Sequence, residues 1–568
     1  MISVSKRSSM VVCILVLAAI TAAAFLPCLS NQFVDWDDPI YVVNNELIRE
    51  ISLENMKEIF TGNFLGHYCP LVMVSYALEY RFFELDPFIY HFTNYMFNIF
   101  IALLVFWFIY LLSRKQLIAF MGAALFAVHP LHVENVAWVM ERKDMLCVFF
   151  YVLALIVYLL YARGGKLRNY LLCLVFVVLA LLSKVLAVTL PVVFILLDYF
   201  EGRKINVKTL VEKIPFFLIA GVFGVINIMF EVQVNAMESG RTLIVRSYFL
   251  SRAILFYLYK LVIPVNLSAM YPYYPVTSAN MIHIGYFTVG LVLLAVAVVS
   301  SARYTKKVIF GSLFFLITIL PTLQIVPAGG ASAADRYMYL PSIGIAYMLA
   351  VLAAYIVTRL SSFKAAKVFV YAVVTAIVIT LSLLTWQRCK VWKDTGTLFT
   401  DVVKQYPYIP IAYNKLGAHY ARSGDYDRGI YYFKIVLTML PDYDKAQGNI
   451  QQVYKDKRAA MVREGLITQE EAAEQEKVNI LAVTYNDIGV RHGSGGDLNG
   501  AIFFFGKAVE VDPDYPESYN NLGFAYFQAG DIDRSEAYFK KTLEFDPEHQ
   551  NAIKNLDIIR KIKDQSSD

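Results

Sequence analysis

The sequence has few charged residues. Asp, Glu, Lys and Arg make up 17% of the 568 residues, whereas hydrophobic residues make up 58%. Soluble globular proteins contain about 45–50% apolar residues. The composition therefore excludes a chain made only of soluble globular domains, and it indicates an integral membrane protein with several spans.

Cysteine is also scarce. The six cysteines, at positions 13, 28, 69, 147, 173 and 389, are scattered, and four of them lie in apolar runs. Their spacing matches neither a metal site nor a disulfide framework, although Cys28 and Cys69 can both face the outside. We interpret them as small, buried apolar side chains.

The N-terminus has no small-residue cleavage site. Lys6 and Arg7 precede an apolar run as in a signal peptide, but no A-x-A motif follows it. The run contains about 20 residues, which is enough to cross a bilayer. We therefore predict an uncleaved first span with its basic end in the cytoplasm.

Long apolar runs are confined to residues 1–390. The predicted spans are residues 10–29, 88–112, 117–130, 144–161, 169–183, 185–200, 214–231, 281–300, 307–326, 337–358 and 366–387. A further segment, 247–264, carries Arg252 and Lys260. If it lies at the outer interface without crossing, every basic loop cluster falls on the cytoplasmic side. Eleven crossings then place the C-terminal part outside the cytoplasm.

Charge is divided unevenly along the chain. Residues 391–568 hold 21 Lys and Arg against 27 Asp and Glu, a net charge of −6, which leaves +11 for residues 1–390. Basic residues in a membrane domain reflect its cytoplasmic loops and do not indicate nucleic-acid binding. The sequence thus predicts two domains, 1–390 and 391–568, and no nucleic-acid partner.

A 34-residue repeat occupies the polar C-terminal part. Tyr485 and Tyr519, with the Gly, Phe and Pro residues that follow each, recur at this period, which is that of the tetratricopeptide repeat. Another copy starts at Tyr413, a degenerate copy fills 447–480, and a closing helix is predicted near 549–562. About four such repeats form an α-solenoid, whose groove binds an extended segment of a partner protein or only supports the membrane domain.

Carboxylates cluster in the first segment predicted to lie on the outer side. Residues 33–45, FVDWDDPIYVVNN, contain Asp35, Asp37 and Asp38. A solvated turn would explain Asp-Pro. A carboxylate beside a low-dielectric surface can instead act as a general base with a raised pKa. A cation site would need ligands from several segments, and the sequence does not identify them.

A second outer segment, HPLHVENVAWVMERKD at 129–144, is rich in titratable residues. His129 and His132 are three positions apart, which is not the H-E-x-x-H zinc spacing. They are either hydrogen-bonded structural histidines or substrate contacts. Glu134 and Asp144 are the acids of this segment that we place among the candidate site residues.

Three cations are predicted near the outer face: Arg142, Lys184 and Arg336. Arg and Lys suit a lipid-linked phosphate, although ion pairing with nearby acids or interfacial anchoring would also explain them. Acids and cations together suggest group transfer from a lipid phosphate. A non-catalytic membrane-anchored repeat scaffold is the alternative. A transporter is less consistent, because residues 1–390 show no internal repeat.

The order of the motifs resembles a known family. The acid-rich segment is followed by HPLHVENVAWVMERKDML, LLSKVLAVTLP, AADRYMYLPSIG and TWQRCKVWKDTGTLFTDVVKQYP, and then by the repeats. This order resembles the transmembrane, tetratricopeptide-repeat O-mannosyltransferases and their bacterial relatives, within the GT-C glycosyltransferase superfamily. The apolar runs and the repeats predict an all-α protein with about 11 transmembrane helices followed by a tetratricopeptide-repeat α-solenoid, and the resemblance implies that the polytopic membrane domain is GT-C-like.

The resemblance also implies an activity. The family transfers a sugar, mannose in its eukaryotic members, from a polyprenyl-phosphate donor to a protein Ser or Thr hydroxyl without a metal or other cofactor. Carried over, Asp37 and Asp38 form the catalytic pair, with one acting as general base. Arg142 and Arg336 would lie near the donor phosphate. Together with the residues selected from the outer segments, the candidate substrate-binding residues are Asp35, His129, His132, Glu134, Arg142, Asp144, Lys184, Arg336 and Tyr337.

The implied partners are the lipid-linked donor, an acceptor protein, membrane lipid and a protein bound in the repeat groove. We expect a bacterial inner membrane with periplasmic repeats, or an endoplasmic-reticulum membrane with luminal repeats in a eukaryotic host. Two positions depart from the family. Cys69 replaces the Arg of Tyr-Arg-Pro-Leu, and Val185 replaces the Glu of Ser-Lys-Glu. The sugar and the level of activity therefore stay open.

Overall fold

The computed structural model describes residues 4–234, 243–272, 278–301, 303, 305–323, 331–360, 364–476 and 478–567. The chain divides into two compact units, Met1–Gln405 and Tyr406–Asp568. Across the described ranges the regular structure is helical apart from two isolated β-bridges, Phe64 with His67 and Tyr271 with Ala333. The predicted all-α fold is confirmed.

The first unit is built from helices of very different length. They are α1 (Val4–Phe25), α2 (Leu53–Thr61), α3 (Pro70–Phe83), α4 (Pro87–Ser113), α5 (Gln116–Ala127), α6 (Val133–Ala137), α7 (Arg142–Gly164), α8 (Leu167–Leu181), α9 (Leu190–Glu201), α10 (Val207–Val211), α11 (Ile214–Val234), α12 (Leu243–Val262), α13 (Ser278–Ser301), α14 (Lys306–Ile319), α15 (Ser342–Arg359), α16 (Lys364–Val391) and α17 (Thr395–Gln405).

The predicted spans coincide with helices, but their number is not confirmed. Six helical segments in the described residues are long and apolar enough to cross a membrane, or seven if the pair α5 and Pro130–Ala137, bent by 55°, is one span. The span predicted at 185–200 is a 3₁₀ turn, Val185–Thr189, followed by α9 of 12 residues. Residues 324–326 of the span predicted at 307–326 lie outside the described residues.

The segment 129–144 differs most from its prediction. Instead of an outer loop, it is a series of short helical turns that ends in the first turn of α7, and all of its residues are buried. Its apolar residues Leu131, Val133, Val136 and Val139 are all 0% exposed. Because these side chains enter the core, they carry the polar residues between them inward as well.

The boundary of the first unit lies at Gln405, whereas the sequence predicts it at 390. Helix α17 packs with the membrane helices because Leu398, Phe399 and Val402 form a buried apolar stripe, each at most 1% exposed. Polar residues of α17 take part in this packing as well, because Asp401 pairs with Arg388 of α16 at 2.7 Å and Gln405 donates to the carbonyl of Leu267 at 2.9 Å.

The second unit is an array of helix pairs. The helices are α18 (Pro410–Arg422), α19 (Tyr426–Met439), α20 (Asp444–Arg463), α21 (Gln469–Glu476), α22 (Ile480–Ser494), α23 (Leu498–Val511), α24 (Pro516–Gln528), α25 (Ile532–Phe545) and α26 (Gln550–Ser567). The degenerate repeat consists of the long α20 and the short α21, and α26 is the predicted closing helix.

A glycine on the first helix of three pairs allows the second helix to approach closely. A Cβ at these glycines would lie 2.6–2.8 Å from the nearest ring carbon of a phenylalanine on the paired helix. The glycine and phenylalanine pairs are Gly417 with Phe433, Gly489 with Phe505, and Gly523 with Phe539. The same contact therefore recurs in these three pairs and explains the glycine of the repeat.

Candidate active site

The carboxylates of residues 33–45, the acidic segment, have different environments. Asp38 is fully buried, and its two carboxylate oxygens accept the backbone N–H groups of Val34 at 2.8 Å and Met140 at 3.1 Å. Asp37 is half-buried, and its carbonyl oxygen accepts the N–H groups of Ile40 and Tyr41 at the start of the next helical turn. Asp38 thus ties residues 33–45 to the segment 129–144, while the Asp37 side chain stays partly accessible.

Burial raises the pKa of the Asp38 carboxyl to about 7. The hydrogen bonds from Val34 and Met140 act in the opposite direction, and the neighbouring Asp37 carboxylate raises the pKa further. A general base must reach the proton that it removes. Although the pKa of Asp38 is suitable for that role, its side chain has no exposed surface, so Asp37 is better placed to meet a substrate.

Three tryptophans fix the position of the acidic segment. The Trp36 ring stacks on Trp138 at 4.9 Å, and Trp138 stacks on Trp392 at 5.7 Å. Trp36 also lies 5.7 Å from Phe399 of α17. The guanidinium of Arg336 lies over the Trp138 ring at 5.5 Å. Aromatic rings bury a large apolar area and prefer specific stacking geometries, so such contacts order a loop. Trp36 therefore anchors the chain between Asp35 and Asp37.

Residues that follow the last span complete this anchoring. The N–H of Gln32 donates to the carbonyl of Lys393 at 2.7 Å, and the N–H of Asp35 donates to Thr395 Oγ1 at 2.8 Å. The half-buried Asp35 is therefore held through its backbone at the edge of the site.

A group of acids and cations lies beside the acidic segment. We define the charge cluster as Glu134, Glu141, Lys143, Asp144, Lys184 and Arg336. It adjoins the acidic segment because Met140, whose N–H binds Asp38, directly precedes Glu141. The structure thus brings together two of the three predicted cations, Lys184 and Arg336, with the predicted acids Glu134 and Asp144.

Arg336 connects two acids of the charge cluster. Its guanidinium forms an ion pair with Glu134, whose other oxygen accepts the Arg336 backbone N–H at 3.1 Å. Arg336 Nε lies 3.2 Å from Glu141 Oε1. Tyr337, predicted to bind substrate, is half-buried, and its ring lies 5.1 Å from the Arg336 guanidinium.

Lys184 occupies the other side of the charge cluster. Its ammonium lies 2.6 Å from Asp144 Oδ1 and 3.8 Å from Glu141 Oε2. Asn135 Nδ2 donates to the second Asp144 oxygen at 2.9 Å. Lys143 Nζ lies 3.6 Å from Glu141 Oε1. Three cations therefore surround the single carboxylate of Glu141.

Arg142 lies elsewhere, unlike its prediction. It is fully buried and pairs with Glu79 of α3 at 2.9 Å. It also donates to Asn94, to Ser75 Oγ at 3.3 Å and to the carbonyl of Tyr90 at 2.8 Å. Because successive residues of a helix point about 100° apart, Arg142 faces the core while its neighbour in α7 faces the charge cluster.

The two predicted histidines form hydrogen bonds with other parts of the first unit. His129 Nε2 lies 2.9 Å from the carbonyl of Leu261, and its Nδ1 accepts the Leu131 N–H at 3.2 Å. His132 Nε2 lies 3.0 Å from Ser342 Oγ. These partners favour the structural interpretation over substrate contact. The described residues contain no group of His, Cys, Asp and Glu arranged to hold a metal ion.

Sequence reasoning missed several residues of this region. Glu141 and Lys143 belong to the charge cluster but are not among the predicted site residues, although both lie in the segment 129–144. Half-buried His67 is near the charge cluster, and burial and the cations Lys143 and Lys184 lower its pKa well below the usual value. Burial and Glu134 raise the pKa of Asp335 to about 7, and Asp335 accepts a hydrogen bond from Tyr271 at 2.8 Å. Nothing in the local sequence around His67 signals this placement.

Comparison with known proteins identifies the second unit as a tetratricopeptide-repeat domain. A family model described as "TPR repeat" matches residues 493–530, and one described as "Tetratricopeptide repeat" matches residues 516–549. The predicted repeats are thereby confirmed. Among solved structures, a crystal structure of MamA is 22% identical and covers 27% of this chain and 88% of its own, with a TM-score of 0.15. Such a score supports no argument.

Curated relatives extend the similarity to the first unit. Protein O-mannosyl-transferase F38B6.6 of Caenorhabditis elegans is 28% identical, over 68% of this chain and 57% of its own length. The human protein O-mannosyl-transferases TMTC3 and TMTC1 are 22% and 23% identical, over 89% and 77% of this chain and 61% and 57% of their own. The chain spans about three fifths of the length of these relatives. The resemblance to the tetratricopeptide-repeat O-mannosyltransferases is confirmed.

Proposed function

We propose that the chain is a membrane glycosyltransferase that transfers a sugar from a polyprenyl-phosphate donor to a protein Ser or Thr hydroxyl on the non-cytoplasmic face. The observation that carries the proposal is the bond between Asp38 and the Met140 N–H, because it holds the acidic segment against the charge cluster. The similarity to protein O-mannosyl-transferases supports the same reaction.

In this proposal Asp37 is the general base. Its carboxylate accepts the proton of the acceptor hydroxyl as the hydroxyl oxygen bonds to the anomeric carbon of the sugar. The bond between that carbon and the phosphate oxygen breaks, and its electron pair stays with the phosphate. Lys184 and Arg336 are positioned to stabilise the charge that develops on the leaving lipid phosphate. The reaction uses no metal.

Asp38 has a positioning role. Its carboxylate holds the chain before Asp37 through the Val34 N–H at 2.8 Å and the segment 129–144 through the Met140 N–H at 3.1 Å. The repeats of the second unit recruit the acceptor protein or a partner. This assignment is supported by the usual use of such solenoids, which present a concave surface to extended segments.

The test is transfer by the purified chain in lipid nanodiscs. Labelled polyprenyl-phosphate mannose is supplied as donor with a Ser/Thr-rich peptide library as acceptor. The wild type is expected to transfer label and Asp37→Asn to lose it, while Glu54→Gln, an exposed carboxylate in α2, serves as the matched control. If neither this donor nor other polyprenyl-phosphate sugars label any acceptor, the non-catalytic scaffold becomes the better account.

A further inference from the structure

The carboxylate of Glu141 has an unusual environment. It is fully buried, and three cations lie around it, at 3.2 Å for Arg336 Nε, 3.6 Å for Lys143 Nζ and 3.8 Å for Lys184 Nζ. Neither of its oxygens makes a hydrogen bond within the described residues. Buried polar groups are nearly always hydrogen-bonded. Glu141 is therefore held mainly by its ion pairs with the three cations, and the Asp144 carboxyl lies close enough to interact with it.

The three cations differ in their other partners. Arg336 is also paired with Glu134, and Lys184 with Asp144 at 2.6 Å. Lys143 is 4% exposed, and the ion pair that the structure describes for its ammonium is the one with Glu141. Lys143 thus depends on Glu141 for its counter-charge, and an incoming anion has to compete with Glu141 for this lysine.

We propose that Glu141 is a resident anion that competes with the lipid phosphate for Lys143, Lys184 and Arg336, and thereby promotes release of the product. This inference rests on the proposed function. The donor is a phosphodiester with one negative charge. After transfer, the leaving polyprenyl phosphate is a monoester, and phosphate monoesters carry about −1.5 to −2 at pH 7.

The difference in charge between the donor and the product explains how a fixed carboxylate in the site promotes release of the product. Without Glu141, the three cations would outnumber the two acids that remain paired with them, Glu134 and Asp144, and would bind the more highly charged product more tightly than the donor. The product would then occupy the site after each turnover. A fixed carboxylate repels the monoester more strongly than the diester, so its presence lowers the affinity for the product more than that for the donor. Glu141 is in this sense a positioning residue, because it acts through the cations.

The test measures binding of polyprenyl phosphate to the purified full-length chain in nanodiscs of zwitterionic lipid. We expect Glu141→Gln to bind it on the order of tenfold more tightly, equivalent to about 1.4 kcal/mol, with a smaller gain for polyprenyl-phosphate mannose. At saturating donor, Glu141→Gln is expected to retain a fast first turnover and to lose steady-state rate through stronger product inhibition. Lys143→Gln is expected to bind the product more weakly.

Controls separate this effect from loss of structure. Glu141→Asp keeps the charge and is expected to bind the product like the wild type, and Glu54→Gln reports any general effect of removing a carboxylate. If Glu141→Gln does not fold, the affinity of Lys143→Gln for polyprenyl phosphate is the deciding measurement. An affinity equal to that of the wild type overturns the inference. Equal or weaker product binding by a folded Glu141→Gln also overturns it. If the wild type binds neither lipid, the proposed function fails as well.

Discussion

Exchanging Asp37 and Asp38 separately tests the division of roles between these two adjacent carboxylates. Asp37→Asn keeps the size of the side chain and removes the proton acceptor. General bases contribute about 10²- to 10⁴-fold to rate, so turnover is expected to fall by that factor. Because Asp37 is half-buried and the substitution preserves its shape, the free energy of unfolding is expected to change by less than about 1 kcal/mol.

Asp38→Asn is expected to act on stability first. Each Asp38 oxygen accepts a backbone N–H, from Val34 and Met140. An asparagine presents one oxygen and one NH₂ group, so one backbone N–H would face a donor. A buried polar group left without its partner costs about 1–3 kcal/mol, and relief of the buried charge offsets part of this.

The assay combines thermal unfolding in nanodiscs with single-turnover transfer, on both variants and the wild type. The expected pattern is a stable but inactive Asp37→Asn, and a destabilised Asp38→Asn that keeps part of its activity at low temperature. A stable Asp38→Asn that loses at least about 10²-fold in rate, beside an active Asp37→Asn, would refute the reasoning and make Asp38 the base.

Three further predictions follow from burial and packing. The pKa of Asp38 is raised to about 7 in the folded state, whereas the pKa of an unfolded Asp is about 3.9, so the folded state binds this proton more tightly. The stability of the wild type relative to Asp38→Asn is therefore expected to fall as the pH rises between these two values and to level off above them. Thermal unfolding of both proteins against pH measures this difference. Glu79→Gln leaves the buried Arg142 without its charge partner and is expected to cost about 3–5 kcal/mol, seen as a lower yield of folded protein, with partial recovery in the double variant Glu79→Gln/Arg142→Met. Gly523→Ala places a Cβ 2.8 Å from a phenylalanine ring and is expected to destabilise the second unit by about 1–3 kcal/mol. Gly506→Ala, whose Cβ would lie in open space on α23, is expected to stabilise this unit by up to about 1 kcal/mol. Equal melting temperatures for the two glycine variants of the full chain would contradict this prediction.

Elements with a simple period were predictable from the sequence. Apolar runs placed the long helices α4, α7, α11 and α16 close to their observed bounds, because such runs have few alternatives in a membrane protein. The 34-residue period indicated the repeats, because three of the helix pairs share the same contact between a glycine and a phenylalanine. The helices α2 and α3 were missed because they are short and interrupted by polar residues, so neither length nor hydropathy distinguishes them from a loop.

The candidate site was only partly predictable. The sequence selected Lys184, Arg336, Glu134 and Asp144, because charged residues in apolar surroundings are rare. It could not tell that Arg142 turns into the core, since that depends on the angular position of one residue in the first turn of α7. Tertiary packing, not local pattern, decides such cases.

The two departures from the family have structural neighbours that the sequence alone does not reveal. Cys69 is buried, and the cations Lys143 and Lys184 lie close enough to lower its pKa, although burial dominates and raises it to about 12. Positive charge is therefore present where the family's arginine is missing. Beside Val185, Lys184 obtains its acidic partners from Asp144 and Glu141.

The contact between Asp35 and Thr395 joins positions 360 residues apart, and this separation has a consequence for biosynthesis. The ribosome makes the acidic segment near the beginning of the chain, whereas Trp392, Thr395 and Phe399 emerge after the last span. A nascent chain therefore lacks the residues that order its acidic segment during most of translation. The acidic segment is therefore expected to become ordered only when the first unit is complete, and truncation at residue 390 is expected to leave it without these contacts.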